Sequence, residues 1–77
     1  MKVIENYVDF KIFGCRDVIV YEKPTKNSNP IDKVFANDVF KANVSYVYWS
    51  TEDECFYKTV TPAGNEGYIR TDVIRQA

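Results

Sequence analysis

Alternation of apolar and polar residues is the sequence feature that most constrains the fold of this chain. From residue 40 to residue 48 the apolar side chains recur at every second position, namely Phe40, Ala42, Val44, Tyr46 and Tyr48. This period is that of a strand with one buried face, whereas the 3.6-residue period of an amphipathic helix is nearly absent. A segment near the N-terminus has the same pattern, with an apolar face made of Ile4, Val8, Phe10 and Ile12. The chain is therefore predicted to be all-β.

Turn-forming residues divide the chain into five or six short strands. After the first segment, which ends at Gly14, strands are predicted over residues 17–22, 40–49, 55–61 and 68–70, and apolar spacing also restarts over 31–34. The strand at 40–49 is longer than average, so we expect it to be bent or strongly twisted. A single helical turn is predicted at Thr71–Ile74. Short strands separated by turns about every 8–12 residues favour a small barrel or sandwich over a helical bundle.

The size of the chain leaves room for one domain. A chain of 77 residues buries only about 60–65% of its unfolded surface, so its core must be dense. Hydrophobic residues make up 45% of the sequence and aromatic residues 16%, which excludes disorder. The net charge is −1 and both signs are spread along the chain, so no basic stripe could follow a phosphate backbone. Nucleic-acid binding is therefore not expected.

Residue types used in catalysis and metal binding are scarce. The chain has no His, which removes the commonest general base and metal ligand. The two cysteines, Cys15 and Cys55, lie forty positions apart, outside any C-x-x-C unit. No enzyme activity, metal or cofactor is therefore expected. A disulfide between Cys15 and Cys55 could form in an oxidising compartment, but two reduced, partly buried thiols are the favoured interpretation.

Neither a membrane-spanning segment nor a signal peptide is evident in the sequence. No apolar run approaches the length that a bilayer requires, and no apolar region follows the lone Lys2 at the start. No membrane interaction is expected. If the chain is complete, these features predict a cytoplasmic protein. If it is a module excised from a larger protein, the cell envelope or the exterior remains open.

Several short motifs occur in a fixed order over residues 17–75. They are Val18-x-Val20-Tyr21-Glu22-x-Pro24, Ile31-x-x-Val34, the turn Asn37-Asp38, Phe40-x-Ala42, Phe56-Tyr57-Lys58 and Gly64-x-x-Gly67-Tyr68-Ile69. Together they resemble the bacterial SH3 domain (SH3b) family, and the last two motifs are the most specific. The resemblance implies a small antiparallel SH3-like β-barrel at 17–77, with residues 1–16 as an N-terminal strand extension. It also implies one shared core, formed by Val20, Ile31, Val34, Phe40, Val44 and Ile69.

Three departures from the family pattern lead to specific expectations. Asn37 stands where the family usually has Gly, and Asn tolerates the left-handed conformation that such a turn uses. Thr59 stands where the family usually has Val, so either its hydroxyl finds a backbone partner or the register shifts to bring Val60 inward. Residues 3–13 are predicted to form a strand that pairs with the barrel edge of the same chain or, in a homodimer, with a second copy.

The resemblance implies a binding function and leaves the ligand open. SH3b modules are known chiefly for binding, often to peptidoglycan or its peptide cross-bridges, whereas eukaryotic SH3 domains with the same barrel bind polyproline peptides. The second ligand is disfavoured here because Arg70 and Val73 stand where proline-binding domains carry Pro and Tyr. Three functions remain: a module that recognises a protein or peptide, a cell-wall targeting module of an exported protein, and a stand-alone cytosolic inhibitor or adaptor from a bacterial or phage mobile element.

A groove is predicted between the Tyr21–Pro30 loop and the hairpin at Ser50–Glu54. The candidate ligand-binding residues are the aromatic side chains expected around it, Tyr21, Trp49, Phe56, Tyr57 and Tyr68. Trp49 is the strongest candidate because it is the only Trp and borders a polar hairpin tip. Alternatively, Trp49 covers the end of the barrel or packs under residues 1–16. The acidic run Glu52–Glu54 is interpreted as a solvated turn that could attract a cationic partner.

Overall fold

Seven β-strands and one 3₁₀ turn form the regular structure in a computed structural model, which describes residues 7–14, 17–50 and 53–77. The strands are β1 (Tyr7–Ile12), β2 (Asp17–Tyr21), β3 (Pro30–Phe35), β4 (Phe40–Trp49), β5 (Cys55–Val60), β6 (Glu66–Arg70) and β7 (Ile74–Gln76). The predicted all-β class is confirmed, and the predicted helical turn is the 3₁₀ turn at Thr71–Val73. Within the described ranges, no helix is long and apolar enough to cross a membrane.

The strands form one antiparallel sheet in the order β3-β2-β6-β5-β4-β1-β7. The described strands at its two ends, β3 and β7, are not joined by a ladder, so the sheet is open. Strand β1 lies between β4 and β7 and pairs with both. The strand predicted at 3–13 therefore pairs with its own chain over residues 7–12, and positions 3–6 lie outside the described residues. The short strand β7 was not predicted as a strand.

The long strand β4 is interrupted after Asn43. Asn43 is opposite Lys58 in β5, but the next paired residue is Tyr48, which is opposite Phe56. Asn43 is buried, and its Oδ1 accepts a hydrogen bond from the backbone N–H of Ser45 at 2.8 Å. A side chain that bonds to its own backbone in this way competes with the ladder. The strand therefore contains a bulge, in which positions 44–47 have only Tyr57 opposite them, and the bulge changes the face to which later side chains point. The bend or strong twist of this strand stays a prediction.

One core cluster lies on the inner face of the curved sheet. Its buried members are Phe10, Ile12, Val20, Val34, Phe40, Ala42, Ile69 and Ile74. Four of the six predicted core residues belong to it, but Val44 and Ile31 do not, since they are 37% and 38% exposed. Val44 follows the bulge at Asn43, which takes its side chain out of the predicted alternation. Ile31 lies at the register shift between β2 and β3, and its Cδ1 stays close to Gly67 on the same side as Val20; it is only partly covered because β3 is at the end of the sheet.

Two polar positions of the motif pattern have a clear structural solution. Thr59 is fully buried, and its hydroxyl donates a hydrogen bond to the carbonyl of Lys41 at 2.6 Å, so the backbone-partner alternative is confirmed. The left-handed conformation expected at Asn37 is wrong, because Asp53 is the one non-glycine among the described residues with a positive φ. Instead, Asp38 closes that turn by accepting a hydrogen bond from the backbone N–H of Phe35 at 3.0 Å.

Candidate functional site

Aromatic side chains gather on the outer face of the sheet, which is the face opposite the core cluster. Strand pairing places Tyr21 opposite Tyr68 and Tyr48 opposite Phe56. The rings of Tyr21 and Phe56 meet edge to face at a centroid distance of 6.2 Å, and those of Tyr48 and Tyr68 at 5.1 Å. Tyr46 extends this group through its ring contact with Tyr48. Phe56 is completely buried beneath the outer face, so the half-buried tyrosines rest on a packed base.

Three of the five predicted site residues, Tyr21, Phe56 and Tyr68, belong to this outer aromatic group. Phe56 has no exposed surface and supports the site without facing solvent. Tyr57 points to the inner side, where its ring lies 5.8 Å from that of Phe10. Trp49 is 69% exposed and is opposite Cys55, on the other side of the hairpin from Tyr48. The exposed ring of Trp49 is therefore separate from the outer aromatic group.

Tyr46 and Tyr48 are members of the outer aromatic group that the sequence analysis did not select. Strict alternation from Phe40 assigns both to the inner face. The bulge after Asn43 breaks that alternation, and Tyr48 consequently shares the outer face with Phe56. An Asn in the middle of an otherwise apolar strand is the available signal, since Asn is depleted in strands.

Two concave sites lie beside the outer aromatic group and share Arg70. The first, which we call the apolar pocket, has a volume of about 270 Å³ and is lined by Asp17, Val18, Ile19, Tyr21, Arg70 and Val73. The second, which we call the acidic pocket, has a volume of about 160 Å³ and is lined by Asp53, Glu54, Cys55, Arg70, Thr71 and Asp72. We refer to the two together as the groove. It runs from Tyr21 to the β4–β5 hairpin, and one wall is β2 and the 3₁₀ turn, since no residue of the predicted wall at 22–30 lines either pocket. Of the five predicted site residues, Tyr21 alone lines the groove.

Arg70 is held in place by two carboxylates. Its Nη1 lies 3.4 Å from Oε2 of Glu54, and its Nη2 lies 2.6 Å from Oδ2 of Asp72. The Glu54 side chain is only 14% exposed, so the interpretation of the acidic run as a solvated turn is wrong for this residue. The other Glu54 oxygen, Oε1, is buried and accepts no hydrogen bond from the described residues. An unpaired buried acceptor costs about 1–3 kcal/mol.

The hairpin tip next to the acidic pocket is fixed by backbone hydrogen bonds. The N–H of Ser50 donates to the carbonyl of Glu54 at 2.8 Å, and the N–H of Glu54 donates to the Ser50 hydroxyl at 3.2 Å. Asp53 has a left-handed φ of 61°, which Asp tolerates better than most residues. Thr51 and Glu52 lie outside the described residues. The positions of Asp53 and Glu54 are therefore set by the turn itself.

Asp32 joins β3 to the β5–β6 turn at the other end of the sheet. Its carboxylate accepts hydrogen bonds from Thr61, from Asn65 at 3.0 Å and from the backbone N–H of Lys33 at 2.7 Å. These bonds, chiefly that from Thr61, lower the pKa of Asp32 below 3.8, because they stabilise the charged form. The β3 strand and the turn after β5 are thus tied together by a charged group.

Groups with catalytic or metal-binding potential are few in this region. Within 7–14, 17–50 and 53–77, no set of three or more His, Cys, Asp and Glu residues could hold a metal ion. Cys55 is a half-buried thiol on the wall of the acidic pocket. The interpretation of the two cysteines as reduced thiols also involves Cys15, which lies outside the described residues. Comparison of the chain with protein-family models and with curated proteins found no match.

Proposed function

We propose that this chain is a non-catalytic, SH3-like binding module that holds a segment of a protein or peptide in the groove. The observation that carries the proposal is the meeting of an apolar pocket and a charged pocket at Arg70, whose cross-strand partner is the buried Phe56. An apolar concavity with a few fixed polar groups is the usual form of a ligand site. The SH3-like barrel over residues 17–77 is part of this proposal, supported by the shared core and by the 3₁₀ turn before the last strand.

The size of the two pockets favours peptide side chains as the bound groups. Their volumes, 160 and 270 Å³, lie below the roughly 300–1,000 Å³ of sites for drug-sized ligands. Each pocket suits one or two side chains, and the shared Arg70 makes them neighbours. The base is rigid because Phe56 and Tyr21 pack against each other, so little entropy is lost when a ligand binds.

Selection of binders from a random peptide library, followed by variants of the groove, tests the proposal. We expect the selected peptides to lose affinity with Tyr21→Ala by about 2 kcal/mol, which is roughly thirtyfold. Ile19→Ala should reduce affinity about fivefold, because it shortens a side chain on the wall of the apolar pocket. Circular dichroism of each variant establishes that the fold is intact, which matters most for Tyr21 because its ring packs on Phe56.

Phe35→Ala is the matched control for Ile19→Ala. Phe35 is also an exposed apolar residue of the β2–β3 hairpin, but it lies outside both pockets. Binding that is insensitive to Tyr21→Ala and Ile19→Ala would contradict the proposal. If Trp49→Ala alone removes binding, the ligand sits on the exposed side of the hairpin. Sedimentation with purified cell walls tests the alternative ligand, peptidoglycan, with the same variants.

A further inference from the structure

The charged side chains that line the groove are mostly negative. Four carboxylates and one cation face it, namely Asp17, Asp53, Glu54, Asp72 and Arg70. Asp17 is also paired with Lys33, at 3.7 Å, outside the groove. The acidic pocket alone combines three carboxylates with the guanidinium of Arg70. A concave surface lined by an excess of one sign attracts the opposite charge, so this pocket favours a cation.

Arg70 does not provide a free positive charge for an anionic ligand. Its two terminal nitrogens already contact Glu54 and Asp72. In contrast, Asp53 is exposed and has no Lys or Arg within ion-pair distance among the described residues. Oε1 of Glu54 is buried, so a ligand meets Glu54 only as part of the negative charge of the pocket. The unmatched group that a ligand can reach in the acidic pocket is therefore an acceptor, the Asp53 carboxylate. A ligand that completes this pocket has to bring donors and positive charge.

We infer that the groove recognises a Lys or Arg side chain of a partner protein, bound in the acidic pocket next to an apolar side chain in the apolar pocket. This inference rests on the proposed function and names the chemistry of its ligand. An ammonium or guanidinium group supplies the donors that Asp53 lacks and offsets the excess negative charge of the pocket, and the apolar neighbour covers Ile19 and Val73. Because both pockets share Arg70, the two ligand side chains belong to neighbouring positions of one extended segment.

Titration of the ¹⁵N-labelled full chain with short capped peptides tests the inference. The peptides carry one Leu and one variable residue, which is Lys, Arg, norleucine or Glu, in adjacent or alternate positions in a Gly frame. We expect the Lys and Arg peptides to shift the amide signals of 18–21, 53–56 and 70–73. We also expect them to bind at least about tenfold more tightly than the norleucine or Glu peptides. Added salt should weaken the binding of the Lys and Arg peptides only, because it screens their attraction to the carboxylates.

Paired charge variants separate the groove from the general charge of the protein. Asp53→Asn with Glu54→Gln keeps the side-chain shapes, and Asn tolerates the left-handed φ at position 53. We expect this double variant to bind the Lys peptide about tenfold more weakly. The control, Glu22→Gln with Glu66→Gln, changes the net charge equally at two exposed positions outside both pockets and should change affinity less than twofold.

The outcomes distinguish this inference from the proposed function. If norleucine peptides shift the same amides and bind as tightly as Lys peptides, the groove is a peptide site without charge selectivity, and only the inference is overturned. Equal effects of the groove pair and the control pair overturn it as well. If no peptide shifts the amides of the groove at millimolar concentration, both the inference and the proposed function are overturned.

Discussion

Gly67 is the position at which the packing of β2 against β6 is most sensitive to a small substitution. A methyl group added there would lie 2.6 Å from the carbonyl oxygen of Tyr21, 2.6 Å from Cγ1 of Val20 and 2.7 Å from Cδ1 of Ile31. The Ile31 atom is the end of a flexible side chain and can move. The Tyr21 oxygen is backbone, and Val20 is fully buried and β-branched, so neither can yield without a shift of β2. Gly67→Ala must therefore separate the two strands.

The expected cost of Gly67→Ala follows from this geometry. Overpacking of a well-filled site costs about 1–3 kcal/mol, and we expect the upper half of that range because two of the three contacts are rigid. In a domain of this size, 2 kcal/mol corresponds to a fall in Tm of about 8–16 °C. Urea unfolding followed by far-UV circular dichroism measures the change. Fluorescence is less suitable because Trp49 is 69% exposed in the folded state.

Gly64 provides the contrast that identifies the cause. A methyl group at Gly64 would meet nothing within 4 Å, but its φ of +91° disfavours any side chain. Gly64→Ala should therefore cost about 1–2 kcal/mol through backbone strain, and Gly64→Asn should cost less because Asn tolerates that region. At Gly67 the order of the two costs reverses: Gly67→Asn should destabilise the protein more than Gly67→Ala, because Asn is larger than Ala. The packing argument is refuted if Gly67→Ala leaves the urea midpoint unchanged or raises it, as Ala in place of Gly does where space is available.

Three other substitutions and one exchange measurement test the fold. Phe40→Ala should destabilise the protein by about 3–5 kcal/mol in urea unfolding, because the ring is almost completely buried, and a loss below 1 kcal/mol would remove it from the core. Thr59→Val keeps the shape but loses the 2.6 Å hydrogen bond to Lys41, so it should cost about 1 kcal/mol. Because the pKa of Asp32 is lower in the folded state than its value of about 3.8 in the unfolded chain, the charged carboxylate stabilises the folded state at pH values above 3.8. This stabilisation is lost as the pH falls through the pKa of the folded state, so the stability of Asp32→Asn should fall less steeply at acid pH than that of the unchanged protein. Amides of residues 8–12 should exchange far more slowly than those of the termini, and equally fast exchange would contradict the pairing of β1.

Much of the strand layout could be predicted from the sequence because it depends on local alternation. The segments around β2, β4 and β5 were all found in this way, and so was the turn at Thr71–Val73. Strand β7 was missed because three residues carry no period, and its pairing with β1 is a contact between distant parts of the chain. Val44 was misplaced because the register shift after Asn43 cannot be seen in an alternating pattern, and Ile31 is too exposed for the core because β3 is at the end of the sheet.

The candidate site was less predictable because it depends on pairs of residues that are distant in the sequence. The sequence located Tyr21 and the hairpin tip on opposite sides of a groove. It did not predict that Glu54 would be buried against Arg70, since nothing local to either residue indicates the other. The selection of Tyr57 failed to anticipate its contact with Phe10, a residue outside the motif region.

Phe56 gives the proposed binding surface of this small domain a packed base. It belongs to the outer face but is as completely buried as Val20 or Ile69 in the core cluster. A second packed layer on the outer face compensates for the limited core that a 77-residue chain can build. The same layer holds Tyr21 and adjoins Arg70, so the residues that stabilise the outer face also shape the groove. Truncation of Phe56 should consequently reduce stability and peptide affinity together, whereas Ile19→Ala should reduce affinity alone.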